Sequence, residues 1–168
     1  MFEDEFSLSN TATVSYRWSI KGKQPKVQCK QRRRERQTVF GTVNPDSGQI
    51  VISFSDKGNS ITFKKHLKKV VRAYKGKKII LVLDNVRYHH ALRLKPFLHK
   101  HEDYLELMFL PPYSPDLNPI ERVWWFMRKK ITHNRYIETL KERKAKFWMM
   151  FSHYLYPNEE LKNICVLN

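Results

Sequence analysis

Acidic residues stand at three separated places in this sequence: the cluster Glu3-Asp4-Glu5, Asp84 followed by Asn85, and Glu121. Carboxylates brought close together repel one another strongly unless cations intervene. Hard divalent ions such as Mg2+ relieve that repulsion and prefer oxygen ligands. A pair of them clamps the attacking and leaving oxygens of an in-line displacement at phosphorus. Asp84 follows an unbroken apolar run, Ile79 to Leu83, with Lys77 and Lys78 at its other end. Such a run reads as a strand buried on both faces. In open sheets flanked by helices, chemistry gathers just outside the carboxyl ends of the strands. On these signals alone two plainer readings stand level with it: Asp84 opening a loop or capping a helix, and unrelated surface acids.

The elements that must position these acids follow from periodicity. Met1 to Leu8 reads as a strand carrying the first cluster, and Val14 to Trp18 as a short strand before the turn signal Lys21-Gly22. Thr38–Val43 and Gln49–Phe54 bracket the loop Asn44–Gly48 and read as a hairpin. Phe63, Leu67, Val70, Val71 and Tyr74 share one face of a helix whose other face is Lys64, Lys65, Lys68, Lys69 and Arg72. After the Asp84 strand come a helix over about 91–101 and a strand over 104–110. Pro111 to Pro115 is irregular, because each proline removes a donor and restricts its predecessor. Asp116 or Asn118 is placed to cap a helix in which Leu117, Ile120, Val123, Trp124, Met127 and Ile131 share a face. A last helix spans roughly 136–154. This order predicts an α/β domain, a mixed five-stranded sheet of three antiparallel and two parallel strands flanked by helices. It is also the order of a ribonuclease-H-like domain, in which the first and fourth strands are neighbours and the three acidic positions converge.

Composition narrows the partner. The chain has 168 residues, enough for one domain with a real core. Lys and Arg number 32 against 16 Asp and Glu, a formal charge of +16, and an excess of that size points to a polyanion, nucleic acid first. No apolar window is long enough for a transmembrane helix, and with acids at positions 3–5 no signal peptide is expected. Cys29 and Cys165 form no metal-ligand pattern and suggest a reducing compartment. The expected location is the cytoplasm, with the nucleoid.

Specificity comes from Pro111-Pro-Tyr-Ser-Pro-Asp-Leu-Asn-Pro-Ile-Glu-Arg-Val-Trp124. This stretch resembles the DDE transposases of the mariner-type superfamily, in their bacterial insertion-sequence branch. Ser114 to Glu121 is similar to the family's most recognisable motif, whose final Glu is the third catalytic carboxylate. Leu83-Asp-Asn85 with His89 resembles the second motif, and Asp4-Glu5 the first, its Asp being the ligand. Arg17-Trp18 with Lys21-Gly22 resembles the hairpin that follows it. Between Asp84 and Glu121 lie 36 residues, close to the family's spacing.

The resemblance implies a ribonuclease-H-like fold with Asp4, Asp84 and Glu121 as catalytic residues and ligands of Mg2+, for which Mn2+ can substitute. The implied activity cuts and joins DNA strands by two-metal hydrolysis and transesterification. The implied partners are DNA, at element ends and target, and a second copy of the chain in a DNA complex. Family members carry amino-terminal helix-turn-helix modules, and such a module is expected to be absent from residues 1–168. Residues 1–168 are therefore expected to form a single catalytic domain that binds DNA without sequence preference.

Asn85 and His89 are expected to support the ligands rather than to be ligands. Asn118 and Pro119 are expected to shape the helix start that aims Glu121. Arg32, Arg33, Arg34 and Arg36, together with Lys64, Lys65, Lys68 and Lys69, are candidates for phosphate contact, the alternative being solvated basic faces. Trp125 and Tyr113 are further candidates for DNA contact, whereas Trp124 belongs to the core face. Two other functions remain open at this level: a nuclease of the same fold acting on RNA–DNA hybrids or junctions, and a non-catalytic DNA-binding remnant.

Overall fold

A computed structural model describes residues 1–11, 13–27, 35–112 and 114–166. Five strands form one sheet in the order β3-β2-β1-β4-β5: β1 (Phe2–Ser9), β2 (Arg36–Val43), β3 (Ile50–Ser55), β4 (Ile79–Leu83) and β5 (Leu105–Phe109). β1 pairs antiparallel with β2, and β2 with β3. β4 lies parallel to β1 and to β5, with Phe2 opposite Val82. The mixed sheet expected from the order of elements is the one found.

Two apolar clusters sandwich the sheet. On one face, α1 (Ser60–Ala73) and α2 (Lys95–Lys100) pack over Phe40, Leu81 and Leu83 through Phe63, Leu67, Val70, Tyr74 and Phe97. On the other, α3 (Ile120–Ile131), α4 (Leu140–Ser152) and α5 (Glu159–Ile164) cover Phe6, Leu8, Val39 and Ile52. Successive strand residues point to opposite faces. Phe6 and Leu8 therefore share the α3 face of β1 with Asp4, while Glu3 and Glu5 belong to the α1 face. α1 begins at a reciprocal cap: the Asn59 side chain accepts from the Thr62 backbone N–H, and Thr62 Oγ1 accepts from that of Asn59. The chain leaves α1 through Gly76, whose φ of 81° suits glycine.

His66 interrupts the apolar face of α1. It is fully buried between the Thr42 and Ser53 hydroxyls, at 2.8 Å and 2.9 Å. Burial, with Lys69 nearby, pushes its pKa down to about 3, so the ring is neutral in the folded state. The unfolded chain binds a proton here below about pH 6.5 and the folded chain does not. Stability should therefore fall as pH drops from about 6.5 towards 3, by up to about 1.4 kcal/mol per unit. In His66→Leu that slope should flatten, while the two orphaned hydroxyls cost roughly 1–3 kcal/mol each at neutral pH. Urea unfolding of both proteins across this pH range measures both effects.

Several details differ from the sequence reading. Val14–Trp18 is not a strand: Val14, Tyr16, Trp18 and Ile20 alternate as strand residues do but are all largely exposed. Alternation needs a sheet face to bury into, and Asn134 instead brackets the segment by bonding Ser15 N–H and C=O. The helix expected over 91–101 divides into short 3₁₀ turns, Arg87–His90 and Leu92–Leu94, before α2. Pro96, which lacks an N–H, is compatible only with the first turn of that helix. Leu117 lies outside α3 and is exposed. The last helix starts at Leu140, where the Thr139 side chain accepts from Glu142 N–H, and α5 follows as a separate element capped by Asn158. Among the described residues no helix is long and apolar enough to cross a membrane.

Candidate active site

The carboxyl end of β4, the adjoining stretch of β1 and the start of α3 meet in one cleft of about 310 Å³. Asp4, Asp84 and Glu121 all line it, with Asn85, Ser114 and Asn118. The three acids named from the sequence are thus brought together, one from each of three elements. Each is set by a different device.

Asp4 is held from the core. Trp124, fully buried on α3, donates from Nε1 to Asp4 Oδ2 at 2.9 Å. Its ring packs against Phe6 with centroids 4.6 Å apart and lies over Gly41, where an added Cβ would come within 2.3 Å of the indole. Only glycine fits beneath it. Burial, reinforced by the charges of Glu121 and Glu5, pushes the Asp4 carboxyl up to about 8. A carboxyl that cannot readily ionise beside other carboxylates marks a place short of positive charge.

Asp84 is held from the opposite side of the sheet. His89 Nδ1 lies 3.3 Å from Asp84 Oδ1, and the Val86 N–H donates to the same oxygen at 3.2 Å. These contacts keep the Asp84 carboxyl below its ordinary range despite partial burial. The other ring nitrogen of His89 faces Glu5 Oε1 at 3.2 Å and Glu3 Oε2 at 3.8 Å. Burial alone would discharge this imidazole. The bonds to Asp84 and Glu5 and the charge of Glu3 outweigh that and push its pKa up to about 10. Tyr88 also donates to Glu5 through its hydroxyl. Glu3, wholly buried with the charge of Glu5 close by, is pushed well above the usual carboxylate range.

Glu121 is aimed by the proline-containing turn. Asn118 Nδ2 donates to the carbonyl of Glu3 at 3.1 Å, while its Oδ1 accepts from Ile120 N–H at 3.4 Å. This ties the first turn of α3 to β1 beside Asp4. Neither Asp116 nor Asn118 is the cap residue itself, which is Pro119. Asn85 Nδ2 donates to the Leu110 carbonyl at 2.7 Å and closes the ends of β4 and β5. Asn85 thus lines the cleft while bracing the strand ends, and His89 braces Asp84 from behind the cleft lining.

Glu3, Glu5 and His89 also offer ligand atoms that all lie within 4.8 Å of one another. The histidine there already supplies the positive charge, as a buried imidazolium. Asp4, Asp84 and Glu121 offer a different donor set, three carboxylates around an open recess, of the all-oxygen kind that hard divalent ions prefer.

Of the candidate DNA contacts, Arg36 is exposed at the start of β2, Lys65, Lys68 and Lys69 are exposed on α1, and Lys64 is half-buried. Trp125 is exposed and Trp124 buried. Arg32, Arg33, Arg34, Cys29 and Tyr113 lie outside the described residues. Sequence reasoning did not single out the Trp124 bond to Asp4. Nor did it anticipate Arg143, whose buried guanidinium donates to the carbonyls of Ser9 and Thr11 and anchors α4 to the end of β1.

Residues 1–144 match the DDE superfamily endonuclease family profile. The y4pE/y4sA protein of Sinorhizobium fredii is 37% identical over 101 residues, covering 58% of this chain and 69% of that protein. The 39 kDa protein of insertion element IS630 from Shigella sonnei is 25% identical over 134 residues, 79% of this chain and 38% of that protein. In fold the chain resembles Mos1 transposase. Its paired-end complex with the left transposon end gives a TM-score of 0.69 at 14% identity, covering 96% of this chain and 49% of that one. The mariner Mos1 paired end complex with Mn gives 0.69 at 12% identity, covering 98% and 50%. The sheet is thus the ribonuclease-H-like one expected from the sequence, and the chain spans about half the length of the Mos1 chains it matches. It belongs to the DDE superfamily endonuclease family.

Proposed function

We propose that this chain is the catalytic domain of a transposase, which cuts DNA strands and joins the resulting 3′ ends to target DNA. The observation that carries this reading is the convergence of Asp4, Asp84 and Glu121 on one cleft, with Asp4 pushed up to about 8 by burial and its acidic neighbours. Those three residues would hold Mg2+, or Mn2+ in its place. When bound, such ions lower the pKa of a nucleophile and offset charge developing on the leaving oxygen.

The protein's own contribution is orientation. The indole of Trp124 fixes one carboxylate oxygen of Asp4. His89 holds Asp84 ionised and in place, its positive charge shared with Glu5 on the far side of the sheet. Asn118 aims Glu121 from the backbone of β1. The Mos1 complexes support the choice of DNA ends as substrate and of a divalent ion as cofactor. A second copy of the chain in the DNA complex is part of the proposal.

The direct experiment offers this chain a pre-cleaved element end, an intact duplex and an RNA–DNA hybrid, with Mg2+, Mn2+ or a chelator. Nicking of DNA and joined products only with the metals are expected. Cutting that survives chelation, or that is confined to the hybrid, would overturn the reading.

The basic residues yield a further expectation. Each phosphate contact contributes about 0.9 to the slope of log affinity against log salt. Reversing the charge of Lys64, Lys65, Lys68 and Lys69 should flatten that slope by up to the corresponding sum. An unchanged slope would remove α1 from the DNA track and leave the run Arg32 to Arg36.

A further inference from the structure

A second recess, of about 450 Å³, adjoins the carboxylate cleft. Asp116, Asn118, Glu121, Arg122 and Trp125 line it, and Asn118 and Glu121 line the cleft as well. Helix geometry makes the connection. Trp125 follows Glu121 by four residues, so the two side chains share one face of α3. Trp124, next to it, turns into the core, while Trp125 remains 59% exposed.

A single exposed aromatic residue is ordinary. This one is set apart by its surroundings. It walls a recess that shares Asn118 and Glu121 with the proposed cutting site. Lys129 Nζ lies 5.0 Å from its ring centroid, and Arg122 lines the same recess while bonding the carbonyl of Val166. A flat ring with a cation over it and a second in the same recess, one helical turn from Glu121, suits a ligand that offers a π-face and phosphates.

We propose that Trp125 is a stacking platform for an unpaired nucleobase of the strand whose phosphate lies among Asp4, Asp84 and Glu121, with Lys129 and Arg122 drawing in the flanking phosphates. The proposal rests on the reading of the cleft as a DNA-cutting site and names the form in which that DNA is held. Every base has a π-face, so a platform of this kind tolerates any sequence. A base inside a duplex is already stacked and cannot reach the ring; one displaced from it can. The ammonium of Lys129 is a weak competitor, since an exposed cation–π contact is worth less than base–aromatic stacking. The recess is also of a size common for small planar ligands.

The test is equilibrium binding with Ca2+ in place of Mg2+, so that no strand is cut. One probe is a duplex with a short unpaired tail at one end, and the other is the same duplex fully paired. Wild type should prefer the tailed duplex by roughly 5- to 150-fold, the range that stacking of one base spans. A 2-aminopurine at the first unpaired position should be quenched on binding. Trp125→Ala should bind both duplexes alike and leave the fluorophore bright, whereas Trp125→Phe should keep part of both effects. A wild-type chain without preference, or Trp125→Ala with the preference intact, would overturn the platform. Neither readout needs cleavage. A chain that discriminates the two duplexes through Trp125 yet never cuts DNA in Mg2+ would count against the cutting reading alone.

Discussion

Asp84→Asn and Glu121→Gln should each lose metal-dependent DNA cleavage while remaining folded. Each substitution exchanges a carboxylate oxygen for an amide and barely changes volume. Glu121 is exposed, and Asp84 is only partly buried, its side chain 46% accessible, so neither change opens a cavity. What goes is charge at the point where three acids converge. Removing one preorganised electrostatic group from an active site typically costs about 10²- to 10³-fold in rate, and a lost metal ligand should cost at least that. Single-turnover cleavage of a labelled duplex, alongside thermal unfolding of both variants, measures the two halves of the expectation. A variant that cuts at the wild-type rate with the same metal would remove its residue from the site.

The second large effect is expected at Trp124. Trp124→Ala empties the centre of the α3 face, where the indole packs on Phe6, Phe151 and Gly41. Buried Trp-to-Ala changes cost about 3–5 kcal/mol, a large share of the stability of a domain this size. Trp124→Phe separates packing from function. It retains much of the apolar volume, so stability should fall by less, but it removes the N–H that holds Asp4. Its cleavage rate should therefore drop more steeply than its stability. Urea unfolding and cleavage rate on the same preparations give the comparison, and wild-type cleavage by Trp124→Phe would mean that Asp4 needs no such donor.

The sequence revealed the cleft better than its supports. Asp84 was legible because a buried parallel strand is a short apolar run that must end where the chain turns polar. Glu121 was legible because prolines at 111, 112, 115 and 119 leave the chain few ways to begin a helix, and because the whole stretch matches a specific motif. Asp4 was separable from Glu3 and Glu5 only by the resemblance, although strand alternation sets it on the opposite face from both. The bond from Trp124 to Asp4 spans 120 residues, and no local pattern encodes such a contact. Trp124 reads simply as one more apolar residue on its helix face. His66 likewise occupies a core position beside Leu67, and its two hydroxyl partners come from neighbouring strands. The segment from Val14 to Trp18 misled for the converse reason. Its alternation is that of a strand, but alternation states a preference for a half-buried surface and does not supply one.

The claim on which the rest depends is that the metal lies among Asp4, Asp84 and Glu121. A crystal of this chain soaked in Mn2+ and measured at the manganese absorption edge tests it without reference to activity. Anomalous density is expected in the cleft, within about 2.0–2.6 Å of carboxylate oxygens from those residues, and should be absent from Glu121→Gln or Asp84→Asn crystals, or much weakened. Density instead between Glu3, Glu5 and His89, or none at either place under saturating Mn2+, would contradict the account.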